Sequence, residues 1–274
     1  MIMNISKEEE IRRIVRQAVD FYAAGFSDRH ISEYEDEEGT INMKIHNVFI
    51  AALGKDIQYY SALARSLDSS MGNMLEGMAK HIAILNYEVS KKVEGPIYKE
   101  QTDYIAELLE SYKNTRGANH RIPQVSDYKE KLITMQSSGL HSKRHESDYY
   151  LSDVETGKHY LIELKIGGDL DNKKARSEKE ALLEQYCILA NSLGTDENIS
   201  IYFATAYNRY GEGNYWRQGR VRQFFADDEL LISSHFWNLI CKDENGYNIV
   251  MDEYIKNAPV IVEALNKIKH VYLS

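Results

Sequence analysis

The sequence predicts an α/β protein: a mixed β-sheet flanked by helices, with a helical N-terminal part. Three observations carry this. Apolar residues recur at helical spacing through the first third, extended runs flank a turn near residue 156, and a strand, helix, strand succession follows up to residue 206. A succession of that length favours a right-handed crossover, so the strand holding Glu163 is expected to pair in parallel with the strand holding Ile201. With three prolines and no internal repeat or low-complexity linker, residues 1–274 read as one domain.

The elements follow in order. Ile11, Ile14, Val15, Ala18, Val19 and Tyr22 keep helical spacing after an acidic first turn, and residues 47–65 continue in that style. Asp68 or Ser69 is placed to cap a further helix through Met71, Met74, Leu75, Met78 and Ile82. An amphipathic stretch over 98–113, ending near Arg116 and Gly117, completes a mainly helical part over 1–125. Between 126 and 210 the period changes: a short strand over 131–136, two hairpin strands, a polar loop over 167–172, a helix over 175–192 and a buried strand over 199–206. A segment rich in glycine, arginine and aromatic residues occupies 207–225, and 226–274 is helical again, with a helix over 251–270 packing on the core.

Composition narrows the function classes. No run approaches the roughly 20 apolar residues that span a bilayer, and the first residues lack a signal peptide's basic region and apolar core. Cys187 and Cys241 sit in core-like patterns without metal spacing, which fits reduced thiols in a cytoplasmic protein. A net charge of −9 argues against a passive nucleic-acid coat but leaves room for a local basic cleft. His141 and His145 have His-x-x-x-His spacing but not the His-Glu-x-x-His zinc signature, and there is no P-loop and no Gly-x-Ser-x-Gly elbow.

The chemistry concentrates in the hairpin. With Thr156 and Gly157 as a two-residue loop, Asp148 lies opposite Lys165 and one diagonal step from Glu163, so two carboxylates and an ammonium share a face. Asp153 then lies opposite Tyr160 on the other face, and its replacement is expected to be nearly neutral. Phosphodiester hydrolysis needs such a set, because two oxygen anions can hold a hard divalent cation while an amine orients water or stabilises charge on phosphate. Solvated surface charge is the alternative for a bare Asp plus Glu-x-Lys. The flanking Leu161, Ile162, Leu164 and Ile166 make the strand buried, where such groups are costly without a task.

Elsewhere, Gly167 and Gly168 with Asp169 and Asp171 complete neither a phosphate cradle nor a calcium loop and read as a strand-to-helix connection. Lys173, Lys174 and Arg176 after it could meet a DNA backbone or simply solvate a helix start. Glu184 and Gln185 are expected on a solvated helix face with no role. The segment with Asn208, Arg209, Arg217, Gln218, Arg220 and Arg222 combines guanidinium groups, which read guanine edges and hold phosphates, with amides, which read adenine. Arg217, Gln218 and Arg220 are expected closest to DNA, because Gly213 and Gly219 let the backbone turn there.

Asp148, Glu163 and Lys165 together resemble the three motif positions of the PD-(D/E)XK nuclease superfamily, with Ser147 in place of the motif's proline. The segment from Ala64 to Ala79, Ser-rich and carrying the helical Glu76, resembles the stretch preceding the active site in many type II restriction endonucleases. Residues 203–212 and the later His235 to Asn238 resemble the TdeIII-type family, the likeness covering roughly residues 45–240. The resemblance implies a restriction-endonuclease-like fold with a catalytic core over 126–210 and a DNA-recognition segment over 207–225. It implies Mg2+ in one site or two, held by Asp148, Glu163 and the Leu164 carbonyl, with Lys165 at the attacking water and Glu76 as an accessory acid. Both strands of a short palindromic duplex would be cut, GGNCC-like by this analogy, by a homodimer whose cognate methyltransferase protects host DNA. A structure-specific repair nuclease and a non-catalytic DNA-binding module are the alternatives.

Overall fold

The computed structural model describes residues 5–113 and 121–274. In chain order the elements are α1 (Ile5–Ser32), α2 (Val48–Ala51), α3 (Lys55–Ile84), β1 (Glu88–Ile97), α4 (Lys99–Lys113), β2 (His141–Asp153), β3 (Lys158–Leu164), α5 (Asn172–Leu193), β4 (Ile199–Thr205), α6 (Gly219–Arg222), β5 (Leu230–Ile232), α7 (Ser234–Cys241) and α8 (Gly246–Leu273). The end expected for α4 near Arg116 and Gly117 lies outside the described residues. The architecture is the expected mixed sheet flanked by helices with a helical N-terminal region. Two compact units make it up: the described residues of Met1–Ile82 with Asn248–Ser274, and Ala83–Tyr247.

The first unit is helical. Phe26, Ile41, Tyr59, Leu63, Ile268 and Tyr272 form one apolar cluster, and Val19, Ala23, Ile261 and Ala264 another. Burying a side chain of this size contributes about 1.5–3 kcal/mol, enough to hold long helices whose solvent faces are charged. Glu253 of α8 is buried and receives Arg16 at 3.0 Å and Arg12 at 3.5 Å. The helix start expected at Asp68 or Ser69 is not there: both lie inside one continuous helix, α3. Ser70, next along the same helix, donates its hydroxyl to the Ser66 carbonyl at 2.7 Å, as mid-helix serines do. The break falls earlier, at Gly54 with φ +97°.

The second unit holds a five-stranded sheet in the order β1-β2-β3-β4-β5. The β1–β2 and β2–β3 pairs are antiparallel, and the β3–β4 and β4–β5 pairs are parallel. Leu161 pairs with Ile201, the parallel arrangement expected of a helical crossover. The crossover is α5, which starts where Asp171 accepts from the Lys174 N–H at 2.8 Å and ends at Gly194 with φ +72°. Its Leu182, Leu183, Tyr186 and Ile188 join Leu161, Ile201 and Phe203 in the core. At Gly95 of β1 a Cβ would come within 2.8 Å of Ser192 Oγ and 3.0 Å of Ile188 Cγ2, so the missing side chain permits a close crossing.

The strand expected over 131–136 is instead a 3-10 turn at Leu132–Thr134. Leu132 N–H donates to the Tyr128 carbonyl at 3.0 Å, and both side chains are buried.

Candidate active site

The hairpin is built differently from its expected register. Asp153 pairs with Lys158 and Tyr149 with Ile162, so residues 154–157 form a four-residue turn and the next step sets Asp148 opposite Glu163, not Lys165. Asp153 causes the change. Its carboxylate accepts from Glu155 N–H at 3.0 Å and Thr156 N–H at 3.3 Å, while Gly157, at φ +67°, donates its N–H to the Asp153 carbonyl at 2.8 Å. Lys242 adds an ion pair to Asp153 at 3.1 Å, and the side chain is buried. Asp153→Ala is therefore not neutral. It is expected to cost about 2 kcal/mol by leaving two turn N–H groups unmet, read from urea melts. Although burial raises the Asp153 carboxyl, Lys242 and the turn N–H groups outweigh it and hold the pKa below the ordinary value. Its stabilisation is thus present above the unfolded value and lost as the pH falls through the native one.

A bulge re-aims the other strand. Ser90 pairs with Tyr150 but Lys92 pairs with Glu146, so one β1 residue faces Ser147, Asp148 and Tyr149. Asp148 Oδ2 accepts from the Leu164 N–H at 2.8 Å, fixing the carboxylate at the end of β3. Lys165 N–H donates to the Ala204 carbonyl at 2.9 Å, which ties the same end to β4. Lys165 Nζ contacts Glu163 and lies 3.4 Å from Glu178 of α5. Asp148, Glu163 and Lys165 thus converge, as the sequence suggests, though through a different register.

Burial and the adjacent Asp148 charge push the Glu163 carboxyl up to about 8, with Lys165 working against them. Burial alone would favour the neutral amine of Lys165, but Glu163, Glu178 and Asp148 hold it above its ordinary value. Among the described residues, no three His, Cys, Asp or Glu side chains are grouped as a metal cluster. Asp148, Glu163 and the Leu164 carbonyl nonetheless fit a hard divalent cation. They are all oxygen donors, a cation relieves the crowding of two partly buried anions, and Mg2+ ordinarily takes its remaining ligands from water and phosphate.

Glu178 was not legible as part of this site, because it sits in the charged first turns of α5 among Lys173, Lys174 and Arg176. The visible signal is its neighbour Lys179, a lysine in an otherwise apolar helical stripe with Ala175, Leu182 and Tyr186. Glu184 and Gln185 correct another expectation: both are buried, and Glu184 holds Lys143 at 2.7 Å and His145 at 2.7 Å. Despite burial, His145 and Lys143 keep the Glu184 carboxyl below its ordinary value. The crossing of α5 over β1 and β2 puts this face against the sheet instead of in solvent.

Glu76 lies half-buried on α3 in the first unit. The arginine segment is more ordered than a free loop. Arg209 pairs with Asp169 at 3.1 Å, and Gln218 donates to the same carboxylate at 3.2 Å. Arg217 lies over the Tyr210 ring at 4.8 Å, and Arg222 lies over Tyr215 at 4.5 Å and pairs with Asp227. Asn208 donates to the Asn214 carbonyl at 2.7 Å, and Arg176 is 3.4 Å from Glu180. Arg220, Lys173 and Lys174 are exposed. Gly213 takes the left-handed turn expected of it, at φ +77°, whereas Gly219 opens α6. Trp216 is buried, its ring 2.7 Å from where a Gly168 Cβ would stand, and His235 to Asn238 lie within α7, with Phe236 and Trp237 in the core.

A mixed five-stranded sheet with flanking helices and acidic groups at one strand end is the arrangement of restriction-endonuclease-like proteins. The family model of the type II restriction endonuclease HinfI matches residues 7–258, and the chain belongs to that family. The match supports a restriction endonuclease, a DNA-cleaving nuclease, without extending to the TdeIII-type likeness. No curated protein and no solved structure matches the chain significantly.

Proposed function

We propose that the chain is a Mg2+-dependent endonuclease that hydrolyses both strands of a short palindromic site in duplex DNA. The observation that carries this reading is the convergence of Asp148, Glu163 and Lys165, with Leu164 between the last two. Asp148, Glu163 and the Leu164 carbonyl would hold the cation. When bound, Mg2+ supplies polarisation of the scissile phosphate and a more acidic water. Lys165, oriented by Glu163 and Glu178, donates hydrogen bonds to the attacking water or to the phosphate oxygens, where negative charge grows. Glu178 acts through the lysine. The accessory role of Glu76 rests on the resemblance alone, and Glu76→Gln is expected to slow cleavage and raise the Mg2+ requirement with little change in the thermal melt. A variant matching the parent across a Mg2+ titration returns Glu76 to plain helix surface.

A palindromic site implies a two-fold partner, so the acting form is a homodimer, and a cognate methyltransferase protects host DNA. The GGNCC-like preference belongs to the TdeIII-type likeness. One experiment tests the whole reading: digest a fully sequenced phage DNA with Mg2+ and map the ends. Fixed ends within a shared palindrome support it. Cutting confined to branched or single-stranded substrates points to a repair nuclease, and DNA binding without cutting points to a non-catalytic module.

Readout is assigned to Arg217, Gln218 and Arg220, with Asn208, Arg209, Arg222, Lys173, Lys174 and Arg176 as the surrounding DNA contacts. A base-reading side chain replaced by Ala is expected to lose roughly 1–3 kcal/mol of discrimination at one base pair, while a phosphate contact weakens all sequences alike. Binding in Ca2+ by Arg217→Ala, Gln218→Ala and Arg220→Ala, on the cut site and on random duplex at two salt concentrations, separates these. Parent-like binding by all three moves recognition elsewhere.

A further inference from the structure

The first unit contains a cavity of about 550 Å3 that the proposed chemistry does not use. Its walls carry Arg29 of α1, Lys44, and the α3 residues Arg65, Ser66, Ser69 and Ser70, all on one side of that helix. Among the described residues, no acidic side chain lines it, although the chain carries a net charge of −9.

The cavity has a fixed wall and a free one. On the fixed wall Arg29 donates to Ser66 Oγ and lies 3.9 Å from Glu33, the buried His30 Nε2 sits 3.0 Å from the same hydroxyl, and Ser70 Oγ is 3.1 Å from Tyr22 Oη. On the other side, Lys44 and Arg65 make no ion pair and Ser69 makes no side-chain hydrogen bond among the described residues. Two unpaired cations sharing a concave polar wall repel each other until an anion enters. A planar guanidinium, a compact ammonium and a hydroxyl together offer more donors than one carboxylate can use, and they match the several oxygens of a tetrahedral oxyanion.

We propose that this cavity is a phosphate site, taking either a diester phosphate of a DNA strand or a free phosphate group. The first source rests on the nuclease reading; the second does not. Sequence information is not read here, because a phosphate contact positions a duplex without distinguishing bases.

The test uses the full chain and the variants Lys44→Ala, Arg65→Ala, Lys44→Gln and Arg65→Gln, with Lys44→Arg and Arg65→Lys to retain charge. In Ca2+, binding of a short random duplex is measured against salt. Thermal melts are recorded in inorganic phosphate and in chloride of equal ionic strength. Loss of one diester contact should reduce the slope of log affinity against log salt by about 0.9 in each neutral variant, with the charge-retaining variants near the parent. That result assigns the site to DNA. Unchanged slopes, with a phosphate-induced rise in Tm present in the parent and lost in the neutral variants, assign it to free phosphate. If the neutral variants melt like the parent in chloride and neither the slope nor the phosphate response differs, the proposal is overturned. A parent that cuts no DNA removes the nuclease reading but leaves the phosphate melts to decide this one.

Discussion

Lys165→Ala and Asp148→Ala are each expected to slow the proposed Mg2+-dependent cleavage by roughly 10^2- to 10^4-fold, the range associated with losing a positioned proton donor or an electrostatic stabiliser. Glu163→Ala does the same. All three variants remain folded, so circular dichroism and thermal melts separate chemistry from structure. Lys165→Ala alone is expected to lose about 1–2 kcal/mol of stability, because Glu163 and Glu178 lose the cation between them. Ca2+ should support duplex binding without cutting, since the larger ion activates water poorly. Parent-like rates in Asp148→Ala or Lys165→Ala would falsify the assignment.

The largest stability effect is expected at Lys179. Its ammonium and the Glu229 carboxylate form an ion pair whose side chains are 1% and 2% exposed. Glu229 also accepts from Tyr128 Oη at 2.8 Å and from the Ala226 N–H at 2.7 Å, while Lys179 Nζ lies 4.9 Å from the Tyr128 ring and 5.0 Å from the Phe225 ring. Lys179→Ala leaves a buried carboxylate without its cation and should cost about 3–5 kcal/mol. That is a large part of the roughly 5–15 kcal/mol of a typical domain and lowers Tm by roughly 10 °C. The control is Lys179→Met with Glu229→Gln: the neutral amide oxygen still accepts from Tyr128 Oη or the Ala226 N–H and no buried charge is left unpaired, so the pair recovers part of the loss. A melt of Lys179→Ala within a degree of the parent would show that the pair is not buried as described.

The parts of this fold that could be read from sequence are those fixed by local periodicity. Helix α5, strand β4 and the parallel pairing of β4 with β3 follow from apolar spacing, and the convergence of Asp148, Glu163 and Lys165 was legible in the hairpin. The register was not, because the choice between a two- and a four-residue turn depends on Asp153 folding its carboxylate over the turn N–H groups, a capping event that Thr156 and Gly157 do not announce. Strands β1 and β5 were invisible for another reason: Glu88–Ile97 is mostly polar and only partly buried, and Leu230–Ile232 is three residues long. Polar residues with non-local partners, Glu178, Glu184 and Lys179, looked like solvent-facing helix because the elements they meet are distant in sequence.

Asp169 receives both Arg209 and Gln218, and Gly168 lies beneath the Trp216 ring, only three residues after Lys165. The segment assigned to base readout therefore shares a foundation with the strand end assigned to bond breaking. Selection for a new target sequence cannot remodel one without loosening the other, so altered specificity in this scaffold would first arise as a slower enzyme. Recovery of turnover would then come from substitutions that restore the anchorage of Asp169 rather than from any residue facing the DNA.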